Sequence, residues 1–252
     1  MQMKQIDLNT QENIIEDKDS RGSVRAPYGW FRCRSMSFYP YGDSIFKFED
    51  IVRNFIGENI VNNLDVSNND TITTFGSCFA SHIADWFSGE NYEHNRSGDA
   101  YVIRYNEGFA NTFTVLQQFE WAFHKKVPQT GLWFDDKGEL LEYNEKIRNE
   151  TEEIFRKTDV FVITLGLSEV WYDGVTNEVF WRAVPRKYFD PNRHKFRLSS
   201  VEENTRNLTS ICELISNECS DSKIIFTLSP VSLIATFREL PCIPANFVSK
   251  SI

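Results

Sequence analysis

Three segments of this chain share one design, and that design limits the fold more than any other feature. Residues 71–76 (TITTFG), 159–166 (DVFVITLG) and 222–229 (SKIIFTLS) are β-branched or apolar, and each runs straight into small or polar residues. The exits are Gly76-Ser77-Cys78, Gly166-Leu167-Ser168-Glu169 and Ser229-Pro230-Val231-Ser232. Continuous apolar runs of this length suit strands buried on both faces, as in a parallel sheet. Between them lie helical patterns at 78–87, 111–123, 142–157 and 201–219. The last places Val201, Thr205, Leu208, Cys212, Ile215 and Cys219 on one stripe. Ser199 and Ser200, each followed three residues later by glutamate, give it a capping-box start. Strands alternating with helices predict an α/β fold built from βαβ units, with helices on both faces of a mostly parallel sheet. Ligands of such sheets bind outside the carboxyl ends of the strands, so the three polar exits mark the expected crevice.

Composition excludes several classes. The 252 residues are 41% hydrophobic and 25% charged, an ordinary globular balance. The net charge of −9 disfavours nucleic acid and anionic membrane surfaces as partners. The longest apolar run is far shorter than a bilayer span of about 20 residues. The polar N-terminus shows no signal peptide, and the sequence reads as cytoplasmic. Five cysteines without a C-x-x-C and four histidines without ligand spacing predict neither a disulfide framework nor a metal site. Residues 1–25, polar and aperiodic, read as a mobile tail. Residues 26–252 read as one domain, opening with an aromatic-rich segment over 26–70 that carries Trp30, Phe31, Phe38, Tyr39, Tyr41, Phe46 and Phe48.

The Gly-Ser-Cys turn offers two readings. Unpaired backbone N–H groups at a helix start favour an anion, lower the pKa of a cysteine there and can hold an oxyanion. Ser77 can equally be an N-cap and Cys78 a small buried hydrophobe. His82, four residues after Cys78, can share a helix face with it, and His194 falls in a polar loop. Trp133, Trp171, Tyr172 and Trp181 serve either packing or stacking on a sugar. Cys212 and Cys219 read as core. Glu169 can orient a base or bind substrate hydroxyls, or simply pair with an arginine or lysine.

The string Gly76-Ser77-Cys78-Phe79-Ala80 resembles the signature of the GSCFA domain family, placed among the SGNH/GDSL hydrolases. Further blocks at 105–112 (YNEGFANT), 162–171 (VITLGLSEVW) and 227–231 (TLSPV), with 235–237, 245–246 and 249–251, are similar in order to those of the family. The resemblance implies a three-layer flavodoxin-like fold and an esterase-type site needing no cofactor. By it, Cys78 is the nucleophile, with Ser77 the second choice. Gly108 supplies a backbone oxyanion donor, and Ser168 or Asn111 a further one, Ser168 standing where the superfamily has an asparagine. The substrate implied is a small-molecule or carbohydrate ester, taken by a hydrolase or acyl transferase; no oligomeric state is implied. The superfamily's D-x-x-H does not occur after residue 200, and the last histidine is His194. The resemblance therefore leads us to expect a C-terminally truncated domain with exposed apolar surface. The alternative is a non-catalytic binding or interaction module that keeps the crevice without a general base.

Overall fold

The computed structural model describes residues 66–67, 69–76, 80, 82–83, 111–129, 133–134, 138–181 and 184–252. All of them belong to one compact unit, Val66–Ile252. The expected tail, all but the end of the aromatic segment 26–70, and most of the expected helix 78–87 lie outside the described residues. In chain order the elements are β1 (Ile72–Phe75), α1 (Thr112–His124), α2 (Glu145–Arg156), β2 (Val160–Leu165), β3 (Glu169–Asp173), β4 (His194–Leu198), α3 (Val201–Glu218), β5 (Lys223–Leu228) and α4 (Cys242–Ser251). A 3-10 turn lies at Arg186–Tyr188.

The three apolar runs form one parallel sheet in the order β1-β2-β5. Ile72 pairs with Val160 and Phe75 with Ile163; on the other side Val160 pairs with Lys223 and Leu165 with Leu228. Alternation along β2 divides its side chains between two clusters. Phe161 and Ile163 face α1, α2 and α3, whereas Val160 and Val162 join Ile72, with Val66, Ile83 and Ile225 packed against them. The chain is thus a mixed α/β protein whose parallel sheet is flanked by helices.

Four phenylalanines, one each from β1, α1, α2 and β2, hold the first layer together. Phe119 lies 5.2 Å from Phe75, 4.8 Å from Phe155 and 5.5 Å from Phe161, centroid to centroid, and all four rings are fully buried. The helix starts follow capping chemistry. Asn111 accepts from the Thr114 N–H, Asn144 from Lys146 and Ile147, and Ser200 with Glu203 makes the reciprocal capping box. Arg148 of α2 is buried because its guanidinium donates to the Ala122 carbonyl at 2.7 Å and pairs with Glu145 and Glu152.

Three features differ from the sequence reading. First, β5 repeats the apolar pattern of β2 but is an edge among the described residues, with Phe226 40% and Leu228 55% exposed. Composition cannot separate a central from an edge strand. Second, residues 169–198 contain an antiparallel pair, β3 with β4, that the βαβ reading did not foresee; Trp171 there faces Phe196 in register. His194 begins β4 and is half-buried, its Nδ1 accepting from the Asp190 N–H, instead of lying in a surface loop. Third, the buried stripe of α3 is Asn204, Asn207, Ile211, Leu214 and Ile215, while Val201 is exposed. The stripe turns because both asparagines find buried partners, described below. Cys219, buried as expected, caps α3, and its thiol donates to the Phe155 carbonyl; Cys212 is only half-buried.

Two outcomes follow. Phe119→Ala should cost about 3–5 kcal/mol in urea unfolding with little change in slope; a cost below about 1 kcal/mol would deny the ring its central place. At the end of β3, burial alone would push the Asp173 carboxyl up, but Arg193 and the Val175 N–H bind the charged form and hold it below the usual range. A lowered folded pKa gives stability that is complete above the ordinary carboxylate range and lost as pH falls through the folded value. Asp173→Asn should therefore destabilise at pH 7, and its penalty should shrink as pH approaches about 2; a penalty independent of pH would contradict the assignment.

Candidate functional site

Parallel pairing places the carboxyl ends of β1, β2 and β5 side by side, and glycines bring two of these exits into close contact with the neighbouring strand. Gly76, with φ +133°, lies so near β2 that a Cβ there would sit 2.8 Å from the Thr164 Cβ. Gly166, with φ +146°, leaves room for Ser229 of the next exit, 3.3 Å from where a Cβ would stand. Other residues rarely adopt such φ values, so both positions call for glycine on conformation and on space. Thr164 and Thr227 share a hydroxyl hydrogen bond of 2.8 Å just below this edge. Lys250 of α4 reaches the third exit and donates to the Ser229 and Val231 carbonyls at 2.6 and 2.7 Å.

A buried chain of hydrogen bonds spreads from the second exit. Ser168 donates its hydroxyl to Ser249 Oγ of α4 at 3.1 Å, while its carbonyl accepts from the Ser199 N–H and hydroxyl. Ser199 Oγ accepts from Asn204 Nδ2, and Asn204 Oδ1 accepts from Thr112 Oγ1 at 2.6 Å. Asn207 donates to the same threonine. On the other side of Ser168, Glu169 is buried with three donors on its carboxylate: Arg238 Nε at 2.8 Å, the Thr236 hydroxyl, and the Phe237 N–H at 3.1 Å. Arg238 carries the chain on to the Ala245 carbonyl at 2.6 Å and to Ser249. The polar atoms have partners, as buried groups require. The result ties α1, β3, α3, the loop after β5 and α4 to one edge of the sheet.

Of the residues singled out from sequence, Ser77, Cys78 and Gly108 lie outside the described residues. Asn111 is the N-cap of α1, and its neighbour Thr112 enters the network; Ser168 and Glu169 stand at its centre. Of the three roles open to Glu169, the structure shows the ion pair, with Arg238. Trp133 and Trp181 stack in the core at 4.7 Å, and Tyr172 takes Arg197 over its ring, whereas the half-buried Trp171 lies against the exposed rings of Phe189 and Phe237. The sequence reading missed Ser199, Asn204 and Arg238. The signal for Arg238 was present: it is the one arginine after Arg206, and it directly follows a matched block.

Removing one partner of a buried ion pair leaves the other charge uncompensated, at a cost of about 3–5 kcal/mol, whereas replacing both together is much cheaper. Glu169→Gln and Arg238→Met should each destabilise strongly in urea, and the double variant should lose far less than the sum of the two. Additive losses would show that the two side chains do not act on each other.

Among the described residues no group of three or more His, Cys, Asp or Glu side chains is placed to hold a metal ion, and no helix is long and apolar enough to cross a membrane. No curated protein and no solved structure matches the chain at a significant level. A model of the GSCFA family matches residues 71–252, the stretch holding the three strand exits and the whole of the buried network. On that match across more than half of its length, the chain belongs to the GSCFA family.

Proposed function

We propose that the protein is an SGNH-like hydrolase or acyl transferase of flavodoxin-like three-layer fold, acting on a small-molecule or carbohydrate ester. The observation that carries this reading is the edge formed by Gly76, Gly166 and Ser229, where parallel strands end together. Such an edge is where α/β sheets hold ligands. In this reading Cys78, or failing it Ser77, attacks the ester carbonyl at the turn after β1. The carbonyl π electrons move onto the oxygen, and N–H groups of the turn and of Gly108 hold that oxyanion; as the carbonyl re-forms the C–O bond breaks, the alcohol leaves with the proton given up by the nucleophile, and the acyl group stays on the thiol or hydroxyl until water or a second alcohol takes it. Ser168 takes part through its position, since its hydroxyl hydrogen goes to Ser249. The same network favours a second reading. With Glu169 bound by Arg238 and Ser168 by Ser249, the site's described polar groups are engaged with one another, as suits a binding module without turnover.

p-Nitrophenyl acetate separates the two. A hydrolase should release a burst of p-nitrophenolate approaching one equivalent per chain, and Cys78→Ala or Ser77→Ala should reduce that burst at least about 100-fold. Unchanged release in both variants rejects the hydrolase. Thermal stabilisation by esters without any release supports the binding module.

A further inference from the structure

One face of the β3–β4 hairpin carries an aromatic cluster beside the sheet edge. Trp171 is two residues along β3 from Glu169, so both share that face, and Phe196 is its register partner on β4. Phe237, whose N–H binds Glu169, meets the Trp171 ring edge-on at 5.4 Å. Phe189 does the same from another side at 5.8 Å, and Phe196 closes the group at 5.5 Å. Phe189 is 44% and Phe237 57% exposed, so two open ring surfaces meet at Trp171.

A second observation sets this cluster apart from a simple apolar patch. The indole N–H of Trp171 is buried and has no hydrogen-bond partner among the described residues. A buried tryptophan donor ordinarily finds an acceptor. Three charged residues of the same hairpin are paired: Glu169 with Arg238, Asp173 with Arg193 and Arg197 with Glu203. The group without a described partner is one neutral donor beside ring faces. Its complement is an uncharged ligand with an apolar face and an acceptor oxygen.

We propose that Trp171, Phe189, Phe196 and Phe237 form a binding subsite for a neutral pyranoside. The C–H face of the sugar lies against Phe237 and Phe189, and a ring or hydroxyl oxygen accepts from Trp171 Nε1. Phe237, on the loop between β5 and α4, turns aside to admit it. As the place for the sugar part of an ester substrate, the subsite rests on the hydrolase reading; its affinity for a free pyranoside does not.

The test is ligand-observed NMR on the full chain with the methyl glycosides of glucose, galactose, mannose and N-acetylglucosamine, with benzyl alcohol as the aromatic control. At least one glycoside should bind with a millimolar Kd. Trp171→Phe keeps a ring but removes the donor, and should weaken binding about tenfold. Phe237→Ala, a substitution at an exposed side chain, should weaken it as well, while Phe226→Ala, at an exposed ring on the edge strand, should leave it unchanged. Binding of no glycoside, binding of benzyl alcohol alone, or wild-type affinity in Trp171→Phe overturns the proposal. Cys78→Ala should bind the glycoside as the parent does. Glycoside binding without an ester burst would defeat the hydrolase and leave the subsite standing; a burst without glycoside binding would do the reverse.

Discussion

The carboxylate of Glu169 ties the start of β3 to the loop after β5. It starts β3 three residues beyond Gly166, where β2 ends, and from there it takes a guanidinium, a hydroxyl and a backbone N–H from residues 236–238. A buried charge is tolerated only when such partners surround it. The loop after β5 has little apolar burial of its own, with Ile234 97% and Phe237 57% exposed. Its path is set by these polar contacts and by Lys250 on the Ser229 and Val231 carbonyls. Remove the carboxylate and α4 loses the arginine that anchors Ala245 and Ser249.

The parts of this fold that were legible in sequence are those governed by local rules. Residues 160–165 are apolar at nearly every position because both faces of β2 are covered, and Ser200 with Glu203 announces α3 through atoms three residues apart. What was not legible depends on partners far along the chain. Asn204 and Asn207 occupy the buried face of α3 although a hydrophobic stripe would place them outside. Their reason lies 92 and 95 residues away, in Thr112. Nor can the sequence of β5 announce that Phe226 and Leu228 stay exposed, since edge and centre differ only in what lies beside them.

The candidate site divides in the same way. Ser168 and Glu169 stand out in sequence because their motif is contiguous, whereas their partners Ser249 and Arg238 lie far along the chain. A superfamily pattern assigns roles by position. The environment of Glu169 assigns it to Arg238, and that of Ser168 to Ser249, so both hold the edge of the sheet in shape. Holding that shape is a functional task in an α/β protein, because groups on the strand exits can act together only while the exits stay in register.

A contrast in satisfaction gives the remaining step. Across the network, Asn204 uses both amide hydrogens and its carbonyl oxygen, Ser168 both its hydroxyl and its carbonyl, and Glu169 both oxygens. Two residues along β3, Trp171 has no partner for its indole hydrogen among the described residues, a deficit of about 1–3 kcal/mol for a buried donor. Phe237 touches both. Glu169, with both oxygens bound, and Trp171, with its donor unpaired among the described residues, thus stand on one face of one hairpin. An acceptor arriving at Trp171 would recover that deficit, and the network next to it would hold the rings in place.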